Sequence, residues 1–353
     1  MRYFVTGHTG FKGAWLALLL HRQGHEVSGL SLDPAAGSLF ERARVGELLD
    51  ADVRADVRDA AAVRRAIADA APDVVLHLAA QPLVRESYRD PRSTVETNVM
   101  GTFNVLEAVQ AVGSVRAHVV VTTDKVYRNV GRLEGYREHE PLGGADPYSA
   151  SKAAADIVTQ SWLLSTPSVV PTAIARAGNV VGGGDVCPER LMVDLMAGFV
   201  SGAPVLLRDP CAVRPWQHVL DCLSGYLVLV DALLDGRAAG RAYNFGPHTS
   251  HAVTVAEMAD RAAQRWGAGA SWRTEPPAEQ LEEARLLTLD PRRAETELGW
   301  RGVLDLRRTL DLTVDWTRRV AAGEDARSVS LEQVDLVADP AALSCPVGVA
   351  VPG

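Results

Sequence analysis

Two stretches of this chain place chemistry-bearing side chains at spacings that matter. In Pro147-Tyr148-Ser149-Ala150-Ser151-Lys152, the phenol and the amine stand four residues apart. On a helix that spacing puts both on one face, about one turn from each other. A phenol is a poor base at neutral pH, because its ordinary pKa is about 10. A neighbouring ammonium favours the phenolate and makes it a proton acceptor. Just upstream, Val119-Val120-Val121-Thr122-Thr123-Asp124-Lys125 runs an apolar strand pattern into a hydroxyl, a carboxylate and an ammonium. Consecutive elements thus carry hydroxyl, carboxyl, phenol and amine toward one edge. Alone, a Tyr–Lys pair describes many ordinary solvated helices, so its weight rests on the elements around it.

The first of those elements is the start of the chain. Tyr3-Phe4-Val5 reads as a strand, Ala14–Arg22 reads as a helix, and Thr6-Gly7-His8-Thr9-Gly10-Phe11-Lys12-Gly13 lies between them. Strand, Gly-rich turn and helix in that order open a dinucleotide-binding fold. Gly7 allows a tight turn, Gly10 lets backbone approach a pyrophosphate, and Gly13 lets the helix pack closely on the sheet. The helix N-terminus then offers free N–H groups to the phosphates. The glycines are spaced three and three rather than two and three. Glu26–Leu32 reads as the second strand, and Asp33 follows it where an acid bonds ribose hydroxyls, which favours NAD over NADP. Asp56, with Val57 beside it, comes after a third short strand and is a candidate for the adenine amine.

Val74-Val75-Leu76-His77-Leu78 reads as a buried parallel strand, with His77 a core residue rather than a catalyst. Leu78, Ala79 and Ala80 end it where ligands collect in doubly wound sheets. Small side chains there let a cofactor lie against backbone. Val95–Val112 reads as one periodic helix containing Asn98. Thr122 and Ala177 end the next two strands on the same edge. Tyr127–Asp146 is polar and Gly-rich, a loop over the site.

Beyond Gly178 the α/β alternation loosens. The expected architecture is an α/β doubly wound parallel sheet (Rossmann) over 1–178, then a smaller α/β substrate-binding lobe over 179–325 with some segments returning, then a loose tail over 326–353. Ala242–Gly246 reads as a strand of the smaller lobe. Arg190, Arg208 and Arg214 are spread along that lobe, and three arginines around one cleft can hold a diphosphate through forked, charge-assisted hydrogen bonds. Composition narrows the classes further. A net charge of −8 without a basic tract argues against a nucleic-acid partner. Cys187, Cys211, Cys222 and Cys345 have no metal-ligand or disulfide spacing, so no metal is expected and reduced thiols in a cytoplasmic protein are the simplest account. No apolar run reaches the roughly 18 residues of a membrane span, and no leader is expected before the strand Arg2–Thr6.

Thr6-Gly7-x-x-Gly10-Phe11-x-Gly13 together with Tyr148-x-x-x-Lys152 resembles the extended short-chain dehydrogenase/reductase superfamily. Within it the chain is similar to the CDP-glucose 4,6-dehydratase family, through Gly7–Gly13, Ala79–Arg85, Thr97–Thr102, Thr123-Asp124-Lys125, Gly143–Ser149, Gly178–Asp185 and Arg214–Val219. Lys125 is the telling detail, since most sugar-nucleotide 4,6-dehydratases have Glu there. The resemblance implies NAD as cofactor and a nucleotide sugar, CDP-hexose above all, as substrate. Thr123 would bond the sugar oxygen, Tyr148 would take its proton, and Lys152 would steady the phenolate and hold the nicotinamide ribose. Asp124 would protonate the departing 6-hydroxyl, while Lys125 stands where Glu removes the C5 proton in relatives. It also implies substrate contacts from Gln81, Arg85, Asn179, Arg190, Leu191, Arg208, Arg214 and His218, and a homodimer or dimer of dimers through a helix pair.

The chain departs from that family at Val186-Cys187, where Trp is usual, at Glu282-Glu283-Ala284, and around Arg132-Leu133. These changes leave the catalytic set intact and leave the base and the sugar open. Two other readings remain at this level. One is a 4-epimerase or uronate decarboxylase with the same Tyr/Lys pair, which needs no acid for a leaving 6-hydroxyl. The other is a non-catalytic NAD-binding sensor, which predicts a degraded catalytic set.

Overall fold

A computed structural model describes residues 1–132, 134–166, 169–247, 252–274 and 286–338. Leu133, Glu282-Glu283-Ala284 and Cys345 lie outside the described residues.

Twelve strands are described: β1 (Arg2–Thr6), β2 (Glu26–Ser31), β3 (Ala51–Arg54), β4 (Val74–His77), β5 (Ala117–Val121), β6 (Thr172–Ala177), β7 (Asn179–Val181), β8 (Val205–Leu207), β9 (Val213–His218), β10 (Ala242–Phe245), β11 (Ala252–Thr254) and β12 (Trp272–Thr274). Seven of them form one all-parallel sheet in the order β10-β6-β5-β4-β1-β2-β3. The order reverses between β1 and β4. In open α/β sheets that switch point, at the carboxyl ends of the strands, is where ligands bind. Strands β4 and β5 are buried along their whole length, which is why they read as unbroken apolar runs.

The remaining strands make the smaller lobe: a three-stranded sheet β11-β9-β7 and a pair β12-β8. A separate apolar cluster holds the lobe together, with Met196, Phe199, Trp216, Met258 and Leu310 among its buried members.

Three expectations are corrected. The strand at Ala242–Phe245 does not belong to the smaller lobe but pairs with β6 as the edge of the main sheet. Its Phe245 packs against Gly225, where an added Cβ would meet the ring at 2.4 Å. A four-residue apolar run carries no sign of which sheet it joins. Residues 326–338 are not loose: Ala326–Ala338 is a helix whose Val329 and Val334 join the main core. It lies on the first helix, Phe11–Arg22, with Arg22 Nε on Asp335 at 2.7 Å. The helix containing Asn98 is not uniform either, because one wide π turn, Glu96–Met100, is inserted between Pro91–Val95 and Gly101–Ala111. Such bulges re-aim side chains and often mark functional sites.

Candidate active site

The carboxyl ends of β1, β2, β4, β5 and β6 face the smaller lobe across a cleft of about 2600 Å³. Drug-sized pockets run to about 1,000 Å³, so this cleft has room for a dinucleotide and a nucleotide sugar together.

The dinucleotide end is built by sterics. Gly7 has φ +79°, and a Cβ there would stand 2.8 Å from Ala79 N. A Cβ on Gly13 would stand 2.1 Å from Gly7 O, so Gly13 packs the helix on the loop itself rather than on the sheet. Gly10 begins the helix Phe11–Arg22, whose first turn holds Lys12 and no acid. A positive helix end carrying a further cation suits an anion. The cradle therefore fits the diphosphate of NAD. Lys12 Nζ donates to Tyr226 Oη at 3.2 Å. Thr9 Oγ1 bonds Ser31 Oγ at 2.7 Å and donates to Leu32 O at 3.0 Å, tying loop to β2.

Asp33 is exposed at the rim of the cleft. Asp56 also lines it, held below the usual carboxylate range by hydrogen bonds from Arg58 at 2.6 and 2.9 Å. Val57, Leu78, Ala79, Ala80, Thr122 and Ala177 all line the same space.

Two expected ligand residues turn out to be braces. Asn98 is 1% exposed and spends its amide on Gln81 N (2.8 Å), Gln81 O (3.1 Å) and Ser151 Oγ (2.8 Å). Gln81 bonds Leu83 with both ends of its amide and Thr94 with one. Together they fix the turn after β4 to the helix Pro147–Ser165; the Asn98 side chain lies behind the cleft wall, and Gln81 still lines the cleft.

That helix begins at Asp146, whose carboxylate accepts from Ser149 N at 2.9 Å, with Pro147 at its first position. It carries Tyr148 and Lys152 one turn apart, both buried. Tyr148 and Thr123 line the same part of the cleft, and Thr123 Oγ1 donates to Asp124 Oδ1 at 2.9 Å. Phenol, hydroxyl and carboxyl are thus gathered at one strand end. Asp124 is 3% exposed, and a Cβ on Gly178 would stand 2.9 Å from its Oδ2. Burial pushes the phenol up to about 12, and the nearby Thr123 hydroxyl draws it the other way. The Lys152 ammonium expected to oppose this donates instead to Val121 O at 2.9 Å. Burial first and the Lys12 charge second bring Lys152 down to about 8. Lys125 lines the cleft, half-buried. His77 is a satisfied core residue, with Thr6 and Thr102 hydroxyls at 2.7 and 3.0 Å.

The lobe brings Asn179, Arg190, Leu191, Arg208 and Arg214 to the other wall, facing Arg85. Arg190 pairs with Asp185 at 2.7 Å, Arg208 donates to Glu189 O at 3.2 Å, and Arg85 lies 3.8 Å from the Glu189 carboxylate. His218 is not there. It is fully buried, and its Nδ1 accepts from Leu220 N at 3.3 Å, capping the helix Val219–Leu234. The residue of that motif that does line the cleft beside Arg214 is Trp216, which sequence reasoning missed. Strand alternation, which puts 214 and 216 on one face, could have found it. Glu189, at φ +66°, was also missed; no sequence signal marks it. Among the described residues no group of His, Cys, Asp and Glu is placed to hold a metal, and no helix is long and apolar enough to cross a membrane.

A nucleotide-binding cleft with a tyrosine, a lysine and a carboxyl acid at its centre defines a dinucleotide-dependent enzyme site. The chain belongs to the GDP-mannose 4,6 dehydratase family, whose model matches residues 4–313. It is 43% identical to a CDP-glucose 4,6-dehydratase of Salmonella typhimurium over 94% of this chain and 95% of that one. It is 32% identical to a dTDP-glucose 4,6-dehydratase of Streptomyces antibioticus over 90% and 92%. Among solved structures, a dTDP-glucose 4,6-dehydratase from Streptomyces venezuelae with NAD bound superposes with a TM-score of 0.79 at 28% identity, covering 93% of this chain and all of that one.

Proposed function

We propose that this chain is an NAD-dependent hydro-lyase that converts CDP-glucose to CDP-4-keto-6-deoxyglucose. The observation that carries the reading is the hydrogen bond from Thr123 to Asp124 beside the buried Tyr148 and Lys152 on one wall of the cleft, which supports an acid and a base acting on one sugar.

NAD, held by the Gly7–Gly13 loop and Lys152, supplies a hydride acceptor that later gives the hydride back. Thr123 bonds the 4-oxygen of the sugar and Tyr148 takes its proton as the C4 hydride departs. The 4-ketone acidifies the C5 proton, and Lys125, where relatives carry Glu, serves as the base only as a neutral amine, which requires burial or a nearby cation. Asp124 gives its proton to the leaving 6-hydroxyl, so that oxygen departs as water. The hydride returns at C6, and a proton returns at C5. Sugar loses one water and the cofactor ends as it began. An epimerase or decarboxylase has no use for the acid at Asp124, and the intact catalytic set counts against a non-catalytic sensor.

The lobe arginines hold the substrate diphosphate, and the 43% relative favours cytidine as the base. We further infer a homodimer. Val95, Met100, Ile157 and Leu164 stand exposed on the helices of 91–111 and 147–165, and the edge-to-face pair Phe103–Trp162 joins the two. Apolar side chains grouped on a helix pair suit a self-complementary contact. Free thiols at Cys187, Cys211 and Cys222 suit the reducing cytoplasm.

The test is incubation with CDP-, dTDP-, UDP- and GDP-hexoses. A 4-keto-6-deoxy product, absorbing in alkali, is expected with CDP-glucose, and hydrogen isotope placed on C4 is expected at C6. Retention of that isotope at C4 in an inverted sugar would assign an epimerase instead.

A further inference from the structure

A second buried constellation lies directly behind the catalytic one. Asp156 is one helical turn past Lys152 and fully buried. Arg176, inside β6 and 1% exposed, grips it with a fork: Nε to Oδ2 and Nη2 to Oδ1, both 2.8 Å. Thr122 Oγ1 donates to the same Oδ2 at 3.1 Å. Arg176 Nη1 is itself fixed by Tyr127 Oη at 2.8 Å, and Tyr127 donates on to Asn244 Oδ1 at 2.7 Å. Consecutive turns of one helix therefore hold consecutive residues of one strand end. Lys152 holds the Val121 carbonyl and Asp156 holds the Thr122 hydroxyl, immediately before Thr123 and Asp124.

A buried ion pair is poor evidence for stability, because desolvation offsets most of its attraction. Its geometry asks for another account. We propose that Asp156, locked by Arg176, is a positioning residue of the reaction centre, setting the strand end that carries Thr123 and Asp124 and giving the Lys152 ammonium its counter-charge. This rests on the dehydratase reading only for its kinetic arm.

The charges facing Lys152 come from three elements. Lys12 from the first turn of the helix Phe11–Arg22 pushes its pKa down, after burial, and Asp156 on its own helix pushes it up. His77 on β4 is buried and held well below its ordinary pKa, so it stays neutral. Facing Asp156 are Arg176, Thr122 and Gln160, whose Nε2 donates to Oδ1 at 2.7 Å. Removing the Asp156 charge leaves burial and Lys12 unopposed, so Lys152 must lose its proton at lower pH.

The decisive measurement follows the Lys152 Nζ titration by NMR in the NAD-loaded protein, assigned with Lys152→Arg. Asp156→Asn is expected to lower that midpoint by about half a pH unit or more, and to move the alkaline limb of kcat/KM down by the same amount. An unmoved midpoint, with activity lost equally at all pH, would reduce Asp156 to a structural role and overturn the proposal. Should Asp156→Asn not fold, Thr122→Val removes a single hydrogen bond and leaves the ion pair intact. It is expected to lower kcat about three- to tenfold with KM within twofold, and an unchanged kcat overturns the strand-end role. A wild-type protein that turns over no nucleotide sugar would remove the dehydratase reading while the NMR titration still decides this one.

Discussion

The two walls of the cleft are built on opposite terms. On the sheet side two of the proposed reacting groups are already engaged: Thr123 with Asp124 and Lys152 with Val121 O. On the lobe side two donors have nothing to hold. Asn179 Nδ2 and Trp216 Nε1 are buried without hydrogen-bond partners among the described residues, and the Arg190 charge rests on Asp185 of the protein itself. An unmet buried donor costs about 1–3 kcal/mol, a cost that a ligand oxygen can lift. Proton-transfer groups gain from being fixed before substrate arrives. Recognition groups gain from being left short of partners until it does.

Substitutions on the two walls should therefore fail differently. The largest effect is expected from Tyr148→Phe, which should lower kcat about 10³- to 10⁴-fold with NAD still bound; near-normal turnover would remove Tyr148 from its role. Asp124→Asn should come next, with C4 oxidation retained and water loss slowed about a hundredfold or more, seen as reduced cofactor accumulating at 340 nm in a single turnover. Normal dehydration would put the acid elsewhere. On the lobe wall Arg190→Ala should raise KM about tenfold or more and leave kcat within a few-fold. A pure kcat defect there would blur the contrast between the walls. The smallest effect belongs to His218→Ala, which should cost about 1 kcal/mol of stability through the lost helix cap, read in a urea titration, with KM unchanged.

Legibility in the sequence followed the same divide. The glycine loop, the strand ends and the Tyr–Lys helix are contiguous, and each residue's job depends on neighbours a few positions away, so spacing alone located them. Where a role depends on distant chain, spacing failed. His218 is a substrate contact by the resemblance of the Arg214–Val219 motif alone, yet the strand ends there and its imidazole caps the helix that follows. Asn98 reads as part of a periodic helix and Gln81 as the end of a strand, but that they bond each other across 17 residues is not legible in the spacing. Arg176 sits inside a strand of buried residues, where a charge contradicts the pattern; only the fork to Asp156 explains it. The edge strand β10 was seen and assigned to the wrong sheet, because its partner lies some seventy residues away.

The helix Ala326–Ala338 has a further consequence for how this molecule is made. It packs on the helix that presents the phosphate cradle, with Arg22–Asp335 at that helix's far end, and it holds the turn after Leu39–Arg42 through Arg327, whose Nε donates to Ala43 O at 2.7 Å. The preceding helix, Leu306–Ala321, lines the cleft itself with Trp316, Thr317, Val320 and Ala321. A nascent chain emerging from the ribosome cannot finish its cofactor pocket until more than three hundred residues have been synthesised, so early folding intermediates should handle NAD poorly.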